Sequence, residues 1–152
     1  MPVQLPETAE IVLRLGAATV VGGALGINRE LRHKSAGLRT LALVALGAAM
    51  AAIVITMVAG GDSSAASRAL QGVLTGIGFL GAGVILHPSQ EPTVIGLTTA
   101  ASVWVVAVLG FACGLGAWAV AAAGTVLVLV VLVLGSYLED AMRRRWPAPR
   151  GH

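Results

Sequence analysis

The chain has 152 residues, 57% of them hydrophobic and only 11% charged, with a formal net charge of +3 at pH 7. Soluble domains carry about a quarter charged residues, so this composition excludes a water-coated globule and indicates an integral membrane protein. The basic residues cluster at Arg29 to Arg39 and Arg143 to Arg150, flanking apolar runs. Basic residues there orient membrane proteins, and neither a motif nor a basic face for nucleic acid is present.

Residues 1–10 are polar, with Pro2, Pro6, Glu7 and Glu10, and lack the basic start and small-residue cleavage site of a secretory signal. The first apolar run, Ile11 to about Ile27, is long enough to span a bilayer. Arg14 near its outer end is expected to snorkel. A basic turn with Arg29, Arg32, Lys34 and Arg39 follows, then a second span from about Leu38 to Val58, ended by Gly60-Gly61-Asp62-Ser63-Ser64. The third covers Ala69 to Leu86, with a turn at HPSQEPT; the fourth runs from Leu97 to Leu109. After a connection over Gly110 to Gly116, the fifth extends from about Ala117 to Leu134, before a polar, basic tail.

These readings predict an all-α fold, a polytopic membrane bundle of about five transmembrane helices. Residues 1–10 are its polar N-terminal segment, 11–136 its membrane domain and 137–152 a basic cytoplasmic tail. Five spans place the termini on opposite sides, and the basic first loop and tail then share the cytoplasmic side. A continuous helix through Gly110 to Gly116 would move the tail outside, which Arg143, Arg144 and Arg145 oppose. A faint repeat pairs Gly37-Leu38-Arg39-Thr40, opening the second span, with Gly96-Leu97-Thr98-Thr99, opening the fourth. Its hairpins would be parallel, related by an axis along the membrane normal.

The densest pattern lies in the third span, with Gly72, Gly76, Gly78, Gly81 and Gly83. Gly76-x-Gly78-x-x-Gly81 has the spelling of a dinucleotide fingerprint, but that motif is a turn between strand and helix. Inside an apolar run these glycines instead predict a helix-packing or partner face where backbones approach closely. Arg39 either pairs with Glu30 to clamp the first hairpin or sits as solvated positive-inside charge beside Thr40. Arg68 and Gln71 can cap or pair at the outer mouth of the third span. Thr98 and Thr99 suit capping of the fourth span, whose first N–H groups need acceptors. The alternative is a polar patch in a crevice with Trp104 below it.

No catalytic set is visible, and Cys113 has no basic neighbour in the sequence to activate it. His33 and His87 lack metal-ligand spacing, and all seven acidic residues fall in tails or loops. Magnesium is usually held through one or two carboxylates, so no metal site or cofactor is expected, nor an enzyme.

Several ordered motifs carry a family resemblance over about residues 16–116. They are Gly22-x-x-x-Gly26-x-x-Arg29-Glu30, Ala36-Gly37-Leu38-Arg39-Thr40, Arg68-x-x-Gln71, GIGFLGAG over 76–83, and Gly96-Leu-Thr-Thr-Ala-Ala-x-x-Trp104. In these the chain resembles the MgtC/SapB family of bacterial inner-membrane proteins. The resemblance implies a five-span domain linked to growth under magnesium limitation, in some members to survival inside macrophages, through modulation of other membrane machines. Many members carry a further soluble domain resembling ACT modules, expected to be missing here. The pattern departs from the family at Thr98 (Asn in some members), Ala65 (often acidic) and Leu41 (often His). The function implied is a non-enzymatic modulator that contacts the lipid bilayer and another membrane protein or a second copy of itself. The alternative is a small homo-oligomeric transporter or channel for Mg2+ or another ion.

Overall fold

A computed structural model describes residues 7–85 and 95–145 of the chain. The expected turn over 87–93, with His87, Pro88, Glu91 and Pro92, lies outside the described residues, as do residues 1–6 and 146–152.

Five helices form: α1 (Thr8–Glu30), α2 (Leu38–Ala59), α3 (Ser63–Val84), α4 (Leu97–Leu115) and α5 (Trp118–Arg145). Four of them, α1, α2, α4 and α5, are long and apolar enough to cross a membrane. The chain is therefore a multi-pass membrane protein. The glycine-rich α3 has the length, since 22 residues at 1.5 Å each reach about 33 Å. Arg68, Gln71 and its glycines dilute its apolar character.

The boundaries follow local chemistry. α1 ends in a Schellman arrangement: Lys34 N–H donates to the Arg29 carbonyl, and His33 N–H to that of Glu30. His33 takes the left-handed conformation this requires, at φ 53. α2 ends at Gly60, also left-handed at φ 58. Asp62 caps α3 by accepting from the Ser64 N–H at 2.8 Å. The break between the last two helices is shorter than expected. Gly110 and Gly114 are helical, and α4 stops at Gly116, whose φ of 74 favours glycine.

The core is assembled from small residues. Ala45, Ala49 and Ala52 form one buried stripe on α2, pressed from both sides by glycine pairs. On α1, a Cβ at Gly22 would lie 2.8 Å from Ala45 Cβ, and one at Gly26 would lie 2.6 Å from Leu38 Cα. On α4, a Cβ at Gly110 would lie 2.6 Å from Ala45 Cα, and one at Gly114 2.8 Å from Ala49 Cα. Each pair is spaced i, i+4, the small-xxx-small pattern that lets backbones touch in membranes. The contacts set directions: α1 is antiparallel to α2, and α2 runs parallel to α4. α3 packs Ala69, Leu70, Val73 and Ile77 against Ala48 and Ala52 of α2 and Ala107 and Phe111 of α4, and rests Gly81 on Ala100 of α4. α5 covers it loosely, with Gly124 under Leu109. Leu25, Leu41, Val106 and Cys113 are the largest fully buried side chains.

The two halves of the faint repeat occupy equivalent places, Gly37 being the N-cap of α2 and Gly96 that of α4. Their backbones differ, Gly37 having φ −100 and Gly96 φ 100.

Candidate functional site

The polar residues of the membrane domain gather mainly at the end where α1 and α3 finish and α2 and α4 begin. Arg29, on the last turn of α1, is only 2% exposed. Its Nε donates to the Ala36 carbonyl at 3.3 Å and its Nη1 to Ser102 Oγ at 3.1 Å. Its Nη2 donates to Thr99 Oγ1. Ser102 Oγ in turn donates to the Thr98 carbonyl at 2.7 Å. One guanidinium thus joins α1, the following turn and α4. Burying a charge is costly unless every donor finds an acceptor, and two hydroxyls of α4 are placed to accept.

This arrangement revises the expectations for the threonines. Neither caps α4: the N-cap is Gly96, which has no side chain to offer, and Thr99 turns inward to Arg29. Thr98 is exposed, and Trp104 faces away from the bundle at 47% exposure. Arg29 belonged to a basic loop in the sequence reading, because the first span was expected to end near Ile27. Three further helical residues carry it inside. Its spacing from Gly22 and Gly26, on the face that packs inward, was the available signal.

Glu30 does not pair with Arg39. Its Oε2 accepts from the Leu38 N–H at 2.9 Å and so caps α2, whose own N-cap Gly37 cannot. Arg39 and Thr40 are exposed. Thr40 lines a cleft of about 430 Å³ between α2, α3 and α4, with Ser35, Phe79 and Gly83 on its walls.

At the opposite end, Arg14 does not snorkel outward. It is bonded to Glu10 one turn earlier and donates from Nη1 to the Gly114 carbonyl at 2.8 Å. Arg68 donates to Ser64 Oγ at 3.2 Å, and Ser64 Oγ donates to Asp62 at 2.8 Å, so Asp62 reaches Arg68 through Ser64. The hydrogen bonds from Ser64 hold the Asp62 carboxyl below its ordinary range. Gln71 is exposed, and its carbonyl accepts from the Thr75 hydroxyl.

Of the five α3 glycines, Gly81 alone meets a neighbour among the described residues, Ala100 Cβ at 3.6 Å from an added Cβ; Gly72, Gly76, Gly78 and Gly83 have no described atom within 4 Å of one. Gly72, Gly76, Phe79 and Gly83 follow i, i+4, i+7, i+11 spacing along one helix face. Phe79 is 83% exposed there.

The sequence model of the MgtC family matches residues 15–141. The chain is 44% identical over 130 residues to Protein SrpB of Synechococcus elongatus, covering 78% of this chain and 71% of that protein. It is 41% identical over 131 residues to "Putative magnesium transporter YhiD" of Escherichia coli K12, covering 82% of this chain and 60% of the relative. It is also 44% identical over 120 residues to Protein MgtC of Brucella abortus, covering 79% and 49%. The matched region thus spans between about half and seven tenths of these relatives' lengths. No solved structure matches the chain.

Proposed function

Because this chain belongs to the MgtC family, we propose that it acts in the bacterial inner membrane as a non-enzymatic modulator of another membrane protein, in adaptation to low magnesium or envelope stress. The observation that carries this reading is the unoccupied glycine face of α3. The chain uses its other glycine pairs, Gly22 with Gly26 and Gly110 with Gly114, to bring its own helices together. Among the described residues it leaves Gly72, Gly76 and Gly83 without a partner, around an outward Phe79. In lipid, helices associate through such close-packing surfaces rather than by hydrophobicity, so a partner's transmembrane helix fits this face. In this reading the C-terminus is cytoplasmic and the N-terminus outside, with the basic turn of Arg32 and Lys34 and the exposed Arg39 on the cytoplasmic side.

Gly76→Leu tests the proposal cleanly, because a Cβ added there meets no atom of the described residues within 4 Å. The variant inserts and folds, and loses the membrane protein that co-purifies with the wild type. Undiminished co-purification contradicts the docking face. Gly81→Leu is a poorer test, since Gly81 already rests on Ala100.

A second reading, a small homo-oligomeric transporter, is favoured by the name of the Escherichia coli relative. It predicts saturable magnesium uptake into vesicles holding only this protein. Flux no greater than in protein-free vesicles rejects it.

A further inference from the structure

The two arginines of α1, Arg14 part-buried and Arg29 buried, sit in opposite electrostatic settings. Arg14 has a carboxylate partner, Glu10, and the Gly114 carbonyl at the C-terminal, negative end of α4. Arg29 has no carboxylate partner among the described side chains; it bonds two hydroxyls and a carbonyl. It also lies at the N-terminal, positive end of α4, which no side chain caps.

A pocket of about 400 Å³ opens onto Arg29 between α1, α4 and α5, and Arg32, Lys34, Thr98 and Ser136 line it as well. It therefore gathers three cations and two hydroxyls. Asn28 Oδ1, on the same wall, is buried and accepts no hydrogen bond among the described residues. The pocket does not end in protein. Thr98, Val131 and Leu132 are shared with a mainly apolar groove of about 320 Å³, which Ser102 also borders and which continues between α4 and α5 past Ala101, Val105 and Val128. Cationic and hydroxylic at the helix ends, apolar toward mid-span, the combined cavity has the polarity profile of a lipid.

We infer that this cavity binds an anionic phospholipid, with the phosphate against Arg29, Arg32 and Lys34 and an acyl chain in the α4–α5 groove. The guanidinium of Arg29, held rigid by its three bonds, presents its remaining N–H groups to a phosphate oxygen. Asn28 Oδ1 accepts from a headgroup hydroxyl, which selects a glycerol headgroup over choline. The lipid also fills the loose seam between α5 and the core. Basic pockets between helices are a general means of holding anionic lipids. The site is independent of the α3 face.

The test is native mass spectrometry of the purified chain in detergent, titrated with phosphatidylglycerol or with phosphatidylcholine of the same acyl chains. Arg29 ties α1 to α4, so the informative variants lie elsewhere. Gly135→Leu fills the pocket from α5, where an added Cβ meets no atom of the described residues within 4 Å. Ala101→Phe fills the groove; Lys34→Gln with Arg32→Gln removes charge and leaves the Arg29 bonds to α4 intact, though it also removes the stacking of Arg32 on the Tyr137 ring of α5 at 5.9 Å. Phosphatidylglycerol binds the wild type in preference to phosphatidylcholine. The preference falls roughly fivefold for each cation removed, and both filling variants abolish it. Equal binding of the two lipids, or preference kept in all three variants, overturns the proposal. Displacement by equimolar inorganic phosphate, with Ala101→Phe inert, overturns it too and assigns the pocket to a soluble phosphate anion.

Discussion

Thr99 and Thr40 occupy matching positions after their helix-opening glycines, yet only Thr99 is buried against a guanidinium. Thr99→Val removes an acceptor from Arg29 and lowers stability by about 1–2 kcal/mol. Thr40→Val, on the exposed side of α2, changes it by less than about 0.5 kcal/mol. Unfolding of both variants in mixed detergent micelles checks the contrast, and equal effects would refute the assigned role of Arg29. The pairing of Thr99 with Arg29 was half legible. A threonine pair at the start of an apolar run signals a polar junction, but periodicity cannot say which hydroxyl turns inward. Asp62 supplies a pH-dependent outcome. Its carboxyl is held below the ordinary 3.8, first by the Ser64 side-chain hydrogen bond. Its contribution to stability is thus complete above that value and lost as pH falls through the lower, folded-state value. Asp62→Asn removes this acid-side loss, visible as a flatter stability profile below about pH 4.

Among the helices, the spans were legible because runs of apolar residues need no tertiary information to be seen. Glycine was not, since the same residue ends a helix at Gly116, packs one at Gly110 and Gly114, and lies open on α3 at Gly76. In water glycine weakens a helix by about 1 kcal/mol relative to alanine, so Gly110 to Gly116 read as a connection. In the bundle the Ala45–Ala52 stripe of α2 presses on Gly110 and Gly114, and α4 stays helical through them. The consequence is a pair of opposite outcomes. Gly114→Leu drives a side chain into the Ala49 backbone and destabilises the bundle by about 3 kcal/mol or more, whereas Gly76→Leu leaves stability unchanged or raises it slightly. Thermal unfolding of the two proteins in the same detergent decides the matter. Similar losses would mean that the α3 glycines are packed after all.

Across the whole molecule, α1, α2 and α4 form a three-helix unit closed by glycine–alanine contacts and by one arginine at each end. α3 and α5 are applied to its outside. That division was not readable in the sequence, where α3 carries the densest motif and looks like the centre of the fold. The motif is dense and yet mostly unused within the chain, and this contrast is the basis of the functional account. A face that leucine could fill in a lipid-exposed helix is instead glycine-lined around Phe79.

The most direct measurement replaces Phe79 with a photocrosslinking residue in the full chain, in cells grown at low magnesium, with and without Gly76→Leu. The account predicts one defined crosslinked membrane protein from the Phe79 position, absent when Gly76→Leu is added, while a crosslinker at the lipid-facing Val131 of α5 gives none. Phe79 yielding only lipid adducts, or the same crosslink with Gly76→Leu, would contradict it.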